Sequence, residues 1–223
     1  MKALRYLQTL TFALMLASVG ALADLDSDIS HLQTRWAEIN YQLSGKTRLT
    51  SFEQLIKEAE LVTTQYPQRA ESWIWSGIIK STYAGAKGGL GALKYAKASK
   101  MDLEKALSLD DQALAGSAYT SLGTLYFNVP GWPVGFGDSD KAEELLKKAL
   151  AINPHGIDSN YFYGDFLFKE RRYGEAERYL LKASQASTRP GRAVADVGRQ
   201  KEIAAALTKV QEKVAKVREK SAE

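Results

Sequence analysis

The stretch Ala142-Glu143-Glu144-Leu145-Leu146-Lys147-Lys148-Ala149 returns as Ala176-Glu177-Arg178-Tyr179-Leu180-Leu181-Lys182-Ala183, so that Ala, Leu and Ala each recur at a displacement of 34 residues. Spacings of four and three place the repeated residues on one face of a helix. Alanines on either side of a leucine leave room for a second helix to come close, and self-similarity at a period of this size marks a stack of supersecondary units that bury their apolar faces on one another. Working outward, Gly164 precedes the second copy, and Leu122-Gly123, Tyr126 and Pro154 bracket the first. Trp73, Gly77, Leu103 and Ala106 form an earlier unit, and Leu55, Ala59, Val62 and Pro67 close a degenerate one. The periodicity predicts nine helices, at about 26–43, 50–66, 69–84, 94–109, 111–128, 139–152, 156–169, 173–186 and 191–220.

This order of large, small and Pro positions resembles the tetratricopeptide repeat, in which each unit is a pair of antiparallel helices. The expected fold is all-α: a TPR-type helical-hairpin solenoid of about four helix pairs and a C-terminal capping helix. The repeat domain spans 24–190, and the cap with its charged tail spans 191–223. Asp140 with Glu143 three residues later reads as a capping box. Val194, Val197, Ile203, Leu207, Val210, Val214 and Val217 form a narrow stripe whose first half is expected to close the open end of the stack, while Gln211 to Glu223 overhangs.

Composition removes several function classes. The 223 residues include no cysteine, so disulfides, thiolate metal sites, a cysteine nucleophile and a lipid-anchored N-terminal cysteine are excluded. Residues 1–23 carry Lys2 and Arg5, an apolar run from Leu10 to Val19 and the small-x-small sequence Ala21-Leu22-Ala23, the layout of a secretory signal peptide cleaved at Ala23/Asp24. The run is too short to span a bilayer. The expected location is therefore the periplasm. Removing Lys2 and Arg5 from the 30 basic side chains leaves 28 against 26 acidic ones, a net charge of +2 that gives nucleic acid no basic face.

Two insertions interrupt the repeat, at about 84–93 and 128–138, each between the two helices of its unit and hence on one edge of the stack. Two readings stand. Trp132 and Phe136 fold back over the solenoid edge while the glycines supply positive φ, or the two loops form one lip over a pocket or partner surface. The sequence Val129-Pro130-Gly131-Trp132-Pro133-Val134-Gly135-Phe136-Gly137-Asp138, the run Asn153-Pro154-His155-Gly156-Ile157-Asp158 and the Gly88–Lys94 loop resemble the T-component family of bacterial TRAP transporters. The resemblance covers roughly 50–200. It implies a periplasmic helical-repeat protein that associates with an extracytoplasmic solute-binding protein, and a homo-oligomer with a ligand-accommodating channel.

Chemistry is sparse. His31 and His155 lie in different units without metal-ligand spacing, and Gly45-Lys46-Thr47 lacks the upstream glycine of a phosphate loop. Asp138 and Asp140 read as helix-start residues rather than as a catalytic carboxylate pair. No catalytic residue, metal or cofactor is expected. In TPRs resembling this one the inner groove would be lined by Glu71, Ile74, Ile78, Ser81 and Thr82; then Ser117, Thr120, Thr124, Phe127 and Asn128; then Asp158, Tyr161, Asp165, Phe168 and Lys169. Lys169 is the only base among them, unlike the Lys/Asn clamp of chaperone-binding repeats, and the lining suits an apolar helix, an extended peptide or an apolar ligand. The candidate binding residues are Trp132, Phe136, Asp138, Tyr161, Asp165, Phe168, Phe127 and Ile78. The expected function is a non-enzymatic binding module accessory to a TRAP-type transporter; the alternative is an envelope scaffold that bridges proteins without holding a ligand.

Overall fold

The computed structural model describes residues 24–220, so the signal peptide expected over 1–23 lies outside the described residues. Nine α-helices and no strand occur among them: α1 (24–42), α2 (Gly45–Gln65), α3 (Ala70–Lys87), α4 (Leu93–Leu109), α5 (Ala113–Asn128), α6 (Ser139–Ile152), α7 (Ile157–Lys169), α8 (Tyr173–Ser184) and α9 (Ala193–Lys220), with a 3-10 turn at Leu90–Ala92. The expected TPR-type helical solenoid is the observed fold.

The contact that builds each hairpin is the same three times. A Cβ placed on Gly77 would sit 2.6 Å from Leu103 Cγ, on Gly123 2.8 Å from Leu146 Cγ, and on Gly164 2.8 Å from Leu180 Cγ. Glycine is thus required where the leucine of the second helix crosses the first. The alanines on either side of these leucines, Ala106, Ala142, Ala149, Ala176 and Ala183, are fully buried. In the α3–α4 hairpin Ser99 replaces one alanine and donates its hydroxyl to the Gly77 carbonyl at 2.7 Å.

Four expectations are corrected. The second helix starts at Gly45, not 50, so Gly45-Lys46-Thr47 is its first turn. The helix start at 139 is capped by Asp138, whose Oδ1 accepts from the Lys141 amide at 2.9 Å; Asp140 lies inside the first turn, so the Asp140–Glu143 capping box does not form. Glu143 instead binds Arg172. The α5 segment begins with Leu114, Ala115 and Gly116 all in the left-handed region (φ 48°, 54° and 73°), so regular helix starts at Ser117. The first insertion is shorter than expected because α3 runs to Lys87 before turning at Gly88 and Gly89, both with positive φ.

The last helix does more than close the end of the stack. Ile203 packs with Ile157 and Ala183, and Val210 joins the α7–α8 core. Ala195 and Val194 belong to the core around α1, Gly198 lies flat against the Tyr41 ring, and the Tyr41 hydroxyl donates to Glu202 Oε2 at 3.3 Å. Thus α9 crosses the concave side and docks on α1. Val197 is exposed, and helix continues through the charged stretch to Lys220.

Candidate functional site

The concave side holds two cavities. The first, about 820 Å³, is walled by the inner helices through Ser81, Thr82, Thr124, Asn128 and Tyr161, by Trp36 and Asn40 of α1, and by Arg199 and Glu202 of α9. Its rim is made by both insertions, through Gly85, Gly89 and Leu93 from one and Val129, Pro130 and Val134 from the other. The Trp36 indole N–H donates to Thr82 Oγ1 at 2.9 Å and fixes that wall.

The second cavity, about 700 Å³, lies at the other end of the inner helices. It is bordered by Ser117 and Thr120 of α5, the turn at His155 and Gly156, the first turn of α7, and Lys182, Arg189 and Arg192. Asp158 lines the second cavity and Arg199 the first, and they are joined by an Nε–Oδ1 hydrogen bond of 2.8 Å. This ion pair stands between the two chambers. Asp158 also accepts from Arg189 Nη1 at 2.6 Å, and Arg199 donates to Glu202 at 2.6 Å. The Arg199 guanidinium lies 4.5 Å from the ring centroids of both Tyr161 and Phe162. Burial alone would raise the Asp158 carboxyl, but the Arg199 and Arg189 charges outweigh it and hold the carboxyl below its ordinary range. Burial dominates at Tyr161 and pushes its hydroxyl up to about 12, so the chamber wall presents a neutral phenol.

Tyr161 is the one member of the sequence-derived binding set that lines either cavity. Trp132 projects from the rim with 90% of its surface exposed, and Val134 beside it is 54% exposed. Phe136 folds back edge-on to Tyr126 at 5.5 Å, with Lys100 over its face. Asp138 caps α6. Phe127 packs on Phe166 and lies under Lys169, Phe168 packs on Tyr173, Asp165 pairs with Lys169 at 3.6 Å, and Ile78 is wedged between two core clusters. Within the second insertion Phe136 therefore covers the solenoid edge, whereas Trp132 does not fold back onto it.

The loop that carries Trp132 is held at both ends. Gly137 N–H donates to the Pro130 carbonyl and Asp138 N–H to the Tyr126 carbonyl, each at 2.9 Å. Gly135 and Gly137 have ordinary negative-φ backbone; they are glycines because a Cβ would overlap the Pro130 and Val129 carbonyls, not because the turn needs positive φ.

The cations of the concave side escaped the sequence reading. Lys169 is the only base among the expected groove positions, yet Arg189, Arg192 and Arg199 reach the cavities from the segment after α8 and from α9. The placement of Arg192 just before α9 and of Arg199 two turns further on was the available signal. Among the described residues no group of three or more His, Asp or Glu side chains is placed to hold a metal ion, and no helix is long and apolar enough to cross a membrane.

A tetratricopeptide-repeat family model matches residues 134–195, which run from the Trp132 loop to the start of α9. With the thrice-repeated glycine–leucine crossing, this match supports a tetratricopeptide-repeat protein, a class whose members generally act as non-catalytic scaffolds for protein partners. Among solved structures the chain is similar to Pseudomonas aeruginosa pilF, at 15% identity over 80% of this chain and 90% of that one, with a TM-score of 0.35. A likeness that low carries no argument about shape or partner. No curated protein matches the chain.

Proposed function

We propose that this chain is a non-enzymatic protein-binding module of the bacterial periplasm, and that the rim of the first cavity docks a solute-binding protein of a TRAP-type transporter. The observation that carries the reading is Trp132. A 90% exposed indole on a loop pinned by backbone hydrogen bonds at both ends loses little freedom on binding, and an exposed Val134 extends its apolar surface. Interfaces concentrate their energy in such aromatic anchors. The cavity beneath the rim, with Leu93, Val129 and Tyr161 in its wall, accepts an apolar segment of the partner. The signal-peptide layout of 1–23 and the resemblance of the two insertions to the T-component family support the compartment and the partner class.

The test is capture of the solute-binding protein from periplasmic extract by the wild-type chain and by Trp132→Ala. Losing a buried aromatic anchor costs about 2 kcal/mol or more of binding, a drop of at least about tenfold in affinity, with no change in melting temperature because Trp132 supports no core. Equal capture by both proteins, or no capture by either, would overturn the reading.

A further inference from the structure

The second chamber contains a cation with nothing to bind. Asp158 gives one carboxylate oxygen to Arg189 and the other to Arg199. Asp196 receives the Arg189 backbone N–H on Oδ2 and its guanidinium on Oδ1. Both carboxylates near Arg192 are thus engaged by other arginines. The Arg192 guanidinium makes no hydrogen bond or ion pair among the described residues, its Nε is buried without a partner, and it lies over the Trp75 ring at 5.1 Å. Trp75 is 3% exposed, and its indole N–H also has no acceptor. These two buried donors cost about 1–3 kcal/mol each, and the Arg192 Nη groups, equally unbonded but not buried, are left at the chamber wall for a ligand that accepts hydrogen bonds.

Everything else around them favours an anion of low charge. The N-cap of the thirteen-residue α7 is Gly156, which has no side chain to accept from the first-turn N–H groups, so that end of the helix dipole faces the same chamber. The left-handed turn at Leu114–Gly116 brings Ala115 and Ser117 to the wall. Two non-glycine residues there carry backbone strain of about 1–2 kcal/mol each, strain of the kind that persists where a site needs its shape. Burial and the neighbouring Arg189 charge also push the Arg192 guanidinium below its ordinary pKa, a cost that an added negative charge removes.

We propose that this chamber binds a carboxylate, with the Arg192 guanidinium over the Trp75 ring as its anchor and the start of α7 as a further source of donors. A planar guanidinium fork matches a carboxylate in two parallel hydrogen bonds. Arg192 and Lys182 both border the chamber without an ion pair among the described residues, and the Asp158 carboxylate in the same wall disfavours a phosphate dianion relative to a singly charged acid. The hydroxyl and amide lining, Ser117, Thr120 and Gln185 among it, selects a polar molecule, and about 700 Å³ accommodates a small organic acid or the last residues of a peptide.

Calorimetric titration of the protein with gluconate, with N-acetyl-trialanine bearing a free carboxyl terminus, with the same peptide as its amide, and with inorganic phosphate tests this. At least one of the two carboxylates binds, the amide does not, and Arg192→Gln weakens binding about tenfold or more while Arg192→Lys falls between. Binding of gluconate alone identifies a free acid, and binding of the peptide acid alone identifies a chain end. A second readout separates binding from architecture: an unpaired cation is not holding the fold, so the melting temperature of Arg192→Gln stays level or rises. No binding by either carboxylate, binding of phosphate alone, an unaffected Arg192→Gln, or a destabilised Arg192→Gln would overturn the proposal.

Discussion

Gly164 faces Leu180 so closely that a methyl group would lie 2.8 Å from Cγ and 3.3 Å from the Leu180 backbone nitrogen. Helix propensity alone would make Gly164→Ala stabilising by about 1 kcal/mol, but overpacking costs about 1–3 kcal/mol, and here the obstacle includes backbone that cannot rotate away. Gly164→Ala therefore lowers the urea midpoint, and it costs less in a Leu180→Ala background, where the clashing branch is gone, than in the wild type. This residue-level logic was legible from sequence, because a glycine that recurs at a fixed place in each unit has the same steric cause each time. Other residue-level features were not. Lys80 and Ser76 meet Asp102 in the α3–α4 hairpin, with Lys80 Nζ 2.8 Å and Ser76 Oγ 2.7 Å from Oδ2. They sit where other units place apolar contacts, and no periodic pattern announces a single polar exception.

At the scale of elements, α9 is fastened by charge as well as by its apolar stripe. Asp158 on α7 accepts from Arg199 on α9 and from Arg189 just before it, and Arg199 is almost fully buried. Asp158→Asn takes one of two counter-charges from a buried guanidinium that keeps Glu202, a loss of about 1–3 kcal/mol. Hydrogen exchange would speed up over residues 193–210 before it does in α5 and α6. The inner face of the A helices was readable in advance, since Ser81, Thr82, Thr124, Asn128 and Tyr161 fall on the first cavity and Ser117, Thr120 and Asp158 on the second. What the repeat could not supply was the opposite wall. Arg192 and Arg199 come from outside the period, and their partner Asp158 is 41 residues from Arg199. The left-handed residues Leu114 and Ala115 were illegible for a related reason: both are good helix formers, and tertiary packing overrides that preference.

Across the whole molecule, carboxylates held by cations set the response to acid. Burial works to raise the Glu143 carboxyl, yet hydrogen bonds from Arg172, Lys147 and Tyr163 overcome it and hold the carboxyl down at about 2. Its folded-state pKa is lower than that of an unfolded glutamate, about 4.3, so the stabilisation is complete above that value and is lost as the pH falls toward 2. Glu143→Gln is accordingly less stable than the wild type at pH 7. The difference closes between about pH 5 and pH 2, as measured by urea midpoints across that range; a difference independent of pH would sink this account. The meeting of α1 with α9 has a different consequence. An open array of repeats can gain or lose a unit by duplication or deletion, because each unit answers only to its neighbours. Here one more hairpin would separate Tyr41 from Glu202 and Gly198, and one fewer would drive them into each other. The α1–α9 contact therefore ties this chain to its number of hairpins, whereas the loops can change length without breaking it.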